Sequence, residues 1–219
     1  MTTDQLGIFA KYWEPGTVKT RLAATIGAEG AAQLYLASLR TLLDRFGGVA
    51  ARRLLYGTPS QRQSEFALLA NRQWIVRSQS DGDLGQRMKN YFVEAFQEDV
   101  ERVVLIGSDS PTLPGEFVES AFAALSDCRV VLGPSEDGGY YLVGASQDVP
   151  PIFDGIDWSS PRVWDQTVSL LDDHAIAWQR LEPWYDVDDQ STLDKLCEEV
   201  SQGGDWPYLI SAIDAWVKR

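Results

Sequence analysis

The stretch from Val103 to Pro111 constrains the fold of this chain more than any other. Four apolar residues, Val103 to Ile106, lead directly into the small-residue turn Gly107-Ser108-Asp109-Ser110-Pro111, a pattern typical of a buried strand that ends at a turn. Ligands of open α/β sheets bind at the carboxyl ends of strands, which is where Asp109 would lie. Its carboxylate is a hard oxygen ligand of the kind that Mg²⁺ or Mn²⁺ prefers. The alternative is that Asp109 caps a helix beginning near Pro114.

Strand-like and helix-like segments alternate along the rest of the chain. Apolar runs predict strands at residues 6–10, 53–57, 74–77, 103–106, 129–133, 140–144 and 177–181. Helical spacing of apolar residues predicts helices at 31–46, 85–98, from 114 onward, 160–171, 191–200 and 206–217. This alternation indicates an α/β fold whose mostly parallel sheet is covered by helices on both faces. The turn Asp137-Gly138-Gly139 before the 140–144 strand predicts one antiparallel strand in the second half.

Length and composition favour one folded domain spanning residues 1–219. The chain is 44% apolar and contains eight Trp residues, which is typical of a packed globule. A net charge of −13 disfavours binding to nucleic acid or to an anionic membrane, so an anionic ligand would need a local group of Lys and Arg. With no recognisable signal peptide or membrane span, and two Cys that predict no disulfide framework, we expect a cytoplasmic protein. The oligomeric state stays open.

A basic loop follows the first predicted strand. It contains Lys11, Gly16 and the run Lys19-Thr20-Arg21. Glycine lets a backbone approach a ligand closely, and Lys and Arg supply charged donors, so the loop predicts a site for nucleotide phosphates. Neither a Walker A pattern nor a GxGxxG fingerprint is present. The alternative is a basic turn that only faces solvent.

A glycine-rich loop joins the third predicted strand to its helix. It includes Gly82, Asp83 and, one turn into the helix, Arg87. Side-chain and backbone hydrogen bonds from such a loop could hold a base or a ribose. The alternative is that Asp83 is simply the N-cap of the helix.

Two acidic segments lie later in the chain. Asp137 stands in the turn before the 140–144 strand and could face an acceptor or a metal, although the segment by itself favours an ordinary tight turn. Asp186 and Asp188 would point the same way in an extended segment, leaving Asp189 to cap the next helix. One of these carboxylates could share a divalent ion with Asp109.

Six motifs in one order resemble a bacterial family. They are Lys11…Pro15-Gly16…Lys19-Thr20-Arg21-Leu22, Gly82-Asp83-Leu84-Gly85…Arg87-Met88, Gly107-Ser108-Asp109-Ser110-Pro111, Glu136-Asp137-Gly138-Gly139-Tyr140-Tyr141, Trp158-Ser159 and Asp186-Val187-Asp188. The family is the "transferase 1, radical-SAM/selenodomain-associated" group, described as glycosyltransferases linked to arsenosugar biosynthesis. The chain also resembles the GT-A nucleotide-diphospho-sugar transferases, and more distantly phospholactate and molybdenum-cofactor guanylyltransferases. The resemblance covers residues 6–198, leaving 205–219 as a C-terminal helical extension.

The resemblance implies a Rossmann-like three-layer sandwich and specific site roles. Asp109 would hold Mg²⁺ or Mn²⁺, and Asp188 or Asp186 would share the ion. Lys19 would contact the nucleotide phosphates with Arg21 as a helper. The segment Tyr12-Trp13-Glu14 departs from the usual Lys-Ala-Pro-x-Pro-Gly loop and is expected to bring two rings and a carboxylate beside the phosphate site.

These observations predict a metal-dependent transferase that uses an activated nucleotide. Because a triphosphate needs more cationic neutralisation, the Lys-Thr-Arg run favours nucleotidyl transfer from a nucleoside triphosphate to a small phosphorylated or sugar acceptor. Glycosyl transfer from a nucleotide sugar is the alternative, and a noncatalytic nucleotide-binding protein is a second one. Asp137 and Trp158 are the candidate contacts on the acceptor side.

Overall fold

The computed structural model describes residues 4–217, which form one seven-stranded sheet with helices on both faces. The strands are β1 (Asp4–Lys11), β2 (Arg52–Thr58), β3 (Ile75–Ser78), β4 (Arg102–Ile106), β5 (Val130–Pro134), β6 (Tyr140–Ser146) and β7 (Trp178–Arg180). The helices are α1 (Ala23–Arg45), α2 (Gln63–Leu69), α3 (Leu84–Gln97), α4 (Gly115–Ala124), α5 (Val163–Asp173), α6 (Gln190–Ser201) and α7 (Pro207–Val217), with a short 3₁₀ helix at Ser60–Arg62.

The strand order across the sheet is β3-β2-β1-β4-β6-β5-β7. β6 runs antiparallel to both of its neighbours, β4 and β5, whereas the other neighbouring pairs are parallel. The prediction of a mostly parallel sheet with one antiparallel strand in the second half is therefore confirmed. This order places the carboxyl ends of β1 and β4 side by side at the centre of the sheet.

Apolar residues on alternate strand positions create a core on each face of the sheet. On one face, Leu42 of α1, Phe66 of α2 and Phe122 of α4 pack against β1 and β4. On the other face, α3 contributes Phe92 and α5 contributes Leu171. Burial of these side chains from water is the main favourable term that holds the three layers together. The predicted three-layer sandwich is thus confirmed.

The C-terminal helices form a smaller third cluster against α1. Leu196 of α6 and Leu209 of α7 are fully buried there, together with Leu34 of α1 and Val187 from the preceding segment. Asp189 caps α6 by accepting a hydrogen bond from the Thr192 amide at 3.0 Å, as expected. Among residues 4–217, no helix is both long enough and apolar enough to cross a membrane.

Helix boundaries differ from the prediction in three places. α1 begins at Ala23 rather than at 31 and has a non-helical residue inside it, Gly27, at φ 76°. Only glycine adopts this backbone conformation readily. α2 was not predicted, because Phe66 is its one fully buried residue and leaves no apolar period to detect. α5 begins at Val163 and not at Ser160, because residues 159–161 turn back and pack against the Gly138 turn.

Candidate active site

A cavity of about 810 Å³ opens at the carboxyl ends of the central strands. This is the position at which open α/β sheets bind ligands. Its lining includes most of the predicted site residues, namely Lys11, Lys19, Thr20, Arg21, Arg87, Asp109, Asp137, Trp158, Asp186 and Asp188. Gly16, Gly82 and Asp83 are not among the residues that line it, and a ligand contact from these three stays a prediction.

Backbone hydrogen bonds bring the last acidic segment to the central strands. The Trp184 amide donates to the Pro134 carbonyl at 3.1 Å, at the end of β5. Three residues later, the Val187 amide donates to the Asp109 carbonyl at 2.8 Å. Asp188 is thereby carried to the end of β4, next to Asp109.

Lys19 joins the two carboxylates. Its Nζ lies 2.5 Å from Asp109 Oδ1 and 2.8 Å from Asp188 Oδ1, and its side chain is only 4% exposed. Burial by itself would lower the pKa of Lys19, but the charges of Asp109 and Asp188 outweigh it and hold the pKa above its ordinary value. The side chain of Lys19 is therefore a charged ammonium. Its backbone has φ 49°, a left-handed conformation that is uncommon for residues other than glycine.

The helix-cap alternative for Asp109 is wrong. The N-cap position of α4 is Pro114, and no side chain caps that helix. The Asp109 side chain instead contacts Lys19 at the floor of the cavity. Its carboxylate is 45% exposed, so it can also reach a ligand.

A divalent ion that bound the two carboxylate oxygens that contact Lys19 would have to take the place of the lysine ammonium. Asp109 and Asp188 present hard oxygen donors. Their two Oδ1 atoms lie close together, because both are within 2.8 Å of the same Nζ atom. The point between them is the one where the ammonium lies. Within residues 4–217, no group of three or more His, Cys, Asp and Glu side chains has an arrangement that could hold a metal.

Asp186 lies beside this pair without joining it. Its Oδ1 accepts a hydrogen bond from the Ser110 hydroxyl at 2.5 Å. Burial, followed by the nearby charge of Asp109, raises the pKa of Asp186 to about 7. The prediction that Asp186 binds the metal is untested.

Sequence reasoning missed Tyr35, which ties the floor of the site together. Its hydroxyl accepts a hydrogen bond from the Lys11 amide at 2.8 Å and lies 2.7 Å from the Ser108 hydroxyl. Burial, with the charge of Asp109, raises the pKa of Tyr35 to about 12, so it stays neutral. One buried phenol thus links the ends of β1 and β4. Tyr35 belongs to the apolar side of α1, and nothing in its local sequence distinguishes it from a core residue.

Hydrogen bonds within the glycine-rich loop and to the neighbouring strands hold its conformation. Arg87 Nε donates to the Gly82 carbonyl at 2.8 Å, and Asp83 caps α3 through the Gln86 amide at 2.9 Å. Gln79 donates to the carbonyls of Ala10 and Tyr56 at 3.1 and 3.0 Å. These contacts support the capping role of Asp83. Four residues of this region line the cavity, namely Gln79, Leu84, Arg87 and Met88.

Asp137 and Trp158 form another part of the cavity lining. Asp137 accepts hydrogen bonds from the Ser135 hydroxyl and from the Gly139 amide, which fixes the turn and leaves the carboxylate at the surface. The Trp158 ring meets the edge of Tyr140 with centroids 6.3 Å apart. An aromatic surface with one carboxylate therefore lines the same cavity as the basic residues.

Tyr12, Trp13 and Glu14 do not line the cavity themselves, although Trp13 also packs against Val18 and Tyr35, which do line it. Tyr12 and Trp13 stack on each other at 4.7 Å and pack edge-on against Phe66 of α2, outside the cavity lining. Glu14 is exposed and does not line the cavity either, and its carbonyl accepts from the Thr17 hydroxyl at 2.8 Å. The rings point to the α2 side because burial there removes their apolar surface from water.

Gly85 is required by the position of Trp158. A Cβ at Gly85 would overlap the Trp158 indole and the Phe153 carbonyl. Gly85→Ala is expected to reduce the free energy of unfolding by about 1–3 kcal/mol, because an extra methyl group in a packed site forces its neighbours apart. The matched control is Gly115→Ala, also at the start of a helix, whose Cβ would have no neighbour within 4 Å. Urea denaturation measures both, and equal stabilities of the two variants would contradict the prediction.

Known proteins share both the sequence family and the fold. A family model described as an uncharacterized protein conserved in bacteria (DUF2064) matches residues 43–160. The crystal structure of a proposed nucleotide-diphospho-sugar transferase from Desulfovibrio desulfuricans G20 superposes with a TM-score of 0.91 at 32% identity, covering 100% of this chain and 98% of that one. A search of curated proteins finds no match.

More distant structures agree with this chain in fold alone. A CMP:2-keto-3-deoxy-manno-octonic acid synthetase complexed with CTP has a TM-score of 0.57 at 14% identity, covering 91% of this chain and 98% of that one. An inositol-1-phosphate CTP transferase from T. maritima has a TM-score of 0.57 at 13% identity, covering 96% of each chain. The chain therefore belongs to the bacterial DUF2064 family and has the fold of the nucleotide-diphospho-sugar transferases.

Proposed function

We propose that this protein is a transferase that binds a nucleotide in the cavity and moves part of it to a small acceptor. The observation that carries the proposal is the Lys19 ammonium held between Asp109 and Asp188 at the ends of the central strands. A buried cation between two partly exposed carboxylates is an arrangement that responds to phosphate charge. A purely structural ion pair would not need to face a cavity of this size.

The basic residues supply the phosphate side of the site. Lys11 and Arg21 are exposed and line the cavity, so their charged groups are free to approach phosphate oxygens. Lys19 lines the same cavity. Donors aimed at the phosphates stabilise the charge that develops as the leaving group departs. Arginine adds bidentate geometry that lysine lacks.

Asp109 and Asp188 are the residues that would hold Mg²⁺ or Mn²⁺ once Lys19 moves aside. When bound, such an ion neutralises phosphate charge and orients the leaving group. Asp186 lies close enough to Asp109 to feel its charge and would form the outer edge of this acidic floor. The support for metal binding is the chemistry and proximity of the two carboxylates.

Nucleotidyl transfer is the favoured reaction and glycosyl transfer is the alternative. The presence of Lys11, Lys19 and Arg21 in one cavity suits a triphosphate, because more phosphate charge needs more cations. A noncatalytic nucleotide-binding protein is the second alternative. The acidic pair argues against it, since binding alone has little need of carboxylates beside phosphates.

The acceptor would lie against the wall formed by Asp137, Tyr140 and Trp158. Aromatic faces suit the apolar faces of a sugar ring, and the Asp137 carboxylate can accept a hydroxyl hydrogen bond. Within the broader family, we place the chain with the "transferase 1, radical-SAM/selenodomain-associated" proteins on its motifs. We also propose a cytoplasmic location, which suits two half-buried thiols, Cys128 and Cys197, that form no disulfide.

Slow breakdown of the donor tests this function. With Mn²⁺ and no acceptor, water can take the acceptor position, so we expect slow release of pyrophosphate from one nucleoside triphosphate in a panel that also includes nucleotide sugars. Mass spectrometry identifies the products. Release of a nucleoside diphosphate from a nucleotide sugar would instead establish glycosyl transfer. Binding without turnover of any donor, with phosphorylated and sugar acceptors also supplied, would favour the noncatalytic alternative.

A further inference from the structure

We propose that Lys19 and a divalent metal ion exchange places between Asp109 and Asp188, so that the free protein holds the lysine there and the metal enters only together with a nucleotide. This inference rests on the function proposed above and concerns the order in which the site is filled. It assigns Lys19 a second role, as the resident cation of the empty site.

The lysine ammonium and a metal ion cannot both bind the same two carboxylate oxygens. A magnesium ion lies about 2.0–2.1 Å from its oxygen ligands. Nζ of Lys19 already lies 2.5 and 2.8 Å from one oxygen of each carboxylate. An ion that bound both of these oxygens would therefore occupy the space of the ammonium group. A metal ion and an ammonium group placed side by side between the two carboxylates would also repel each other strongly.

Charge balance explains why the exchange would need a nucleotide. The two carboxylates and one ammonium leave the pair with one net negative charge, and a divalent ion would neutralise both carboxylates. The exchange nevertheless leaves the Lys19 ammonium without a partner, because Asp109 and Asp188 are its only ion-pair partners among residues 4–217. Phosphate oxygens in the cavity would provide that partner. A nucleotide thus lowers the free-energy cost of moving the lysine and thereby favours the metal.

Binding of the two ligands is then coupled in both directions. By thermodynamic linkage, a nucleotide that favours the metal is itself favoured by the metal to the same factor. Removing the lysine charge breaks the link, because the metal no longer has a competitor. The variant Lys19→Met keeps an unbranched apolar side chain of similar length and removes the ammonium group, with its charge and its hydrogen-bond donors. It is therefore expected to bind metal without any nucleotide.

Titration with Mn²⁺ alone, followed by electron paramagnetic resonance of the free ion, tests the exchange. In the absence of nucleotide, Lys19→Met should bind Mn²⁺ at least about tenfold more tightly than the wild type, a factor that corresponds to about 1.4 kcal/mol. The matched control is Lys11→Met, which removes the same charge from the same cavity without touching the carboxylate pair. It should change the affinity far less. In the double variant Lys19→Met/Asp109→Asn the gain should disappear.

Equal Mn²⁺ affinity of the wild type and Lys19→Met would overturn the exchange. It would also be overturned if Lys19→Met bound no Mn²⁺. A gain of the same size in Lys11→Met would also overturn it, since the effect would then be one of net charge. Circular dichroism confirms that each variant is folded before titration. Turnover by the wild type is measured separately, so failure of the proposed function would show as no nucleotide binding or turnover while the metal contrast between variants remains measurable.

Discussion

Asp109→Asn is expected to reduce donor breakdown by at least about a hundredfold, the scale seen when one preorganised charge-stabilising group is removed. The change keeps the shape of the side chain and leaves the backbone carbonyl free to accept from the Val187 amide. It removes one of the two negative charges that hold Lys19 and one hard oxygen ligand. Product release measured by mass spectrometry under saturating nucleotide and Mn²⁺ reports the loss.

Asp109→Asn should remain folded. Asp188 still pairs with the lysine, and the Asp109 carboxylate is 45% exposed, but the Lys19 ammonium is buried, so we expect the free energy of unfolding to fall by no more than about 3 kcal/mol, the upper value for one charge-assisted hydrogen bond. The matched control is Asp173→Asn at the exposed end of α5, which should leave the rate unchanged. If Asp109→Asn broke down the donor at the wild-type rate, Asp109 would not take part in the reaction.

Lys19→Met is expected to weaken nucleotide binding by about tenfold or more, because a charge-assisted hydrogen bond to phosphate contributes about 1.5–3 kcal/mol. Turnover should fall with it. Isothermal titration calorimetry with the nucleotide that gives turnover measures the affinity. The effect on nucleotide is opposite in sign to the gain in Mn²⁺ affinity expected for the same variant, and this reversal is hard to obtain from general damage to the fold.

A lysine outside the site provides the control for this result. Lys89→Met removes one positive charge from α3, where the side chain pairs with Asp154 at 2.5 Å outside the cavity lining. We expect its nucleotide affinity to match the wild type. If Lys19→Met also matched the wild type, the phosphates would not contact Lys19 and the basic loop would not be the phosphate site.

Strands and their end positions could be predicted from the sequence because the signal is local. The four apolar residues of Val103 to Ile106 lie in β4, and Asp109 follows at the carboxyl end as expected. The turn at Gly138 correctly indicated the direction of β6. Burial on both faces demands continuous apolar runs, so these strands are visible without any knowledge of their neighbours.

Helix ends and short helices were harder to predict for physical reasons. α2 presents one buried anchor, Phe66, and a period cannot be detected from one residue. α1 begins at Ala23, before Gly27, and Gly27 interrupts the helical pattern between that start and the periodic apolar residues. The direction of the Tyr12 and Trp13 rings depended on that unpredicted helix, because Phe66 is the surface on which they pack.

The sequence by itself determined which residues stand at strand ends and therefore which charges could meet in one cavity. Only the tertiary structure decided which charges pair. Lys19 and Asp188 are 169 positions apart, and their contact depends on the path of the segment after β7 and on the Val187 amide that binds the Asp109 carbonyl. Local propensity follows from a residue and its near neighbours, whereas an ion pair follows from the summed packing of elements distant in the chain. The basic loop that was predicted to face phosphate accordingly holds its central lysine between the two carboxylates that were predicted to hold the metal.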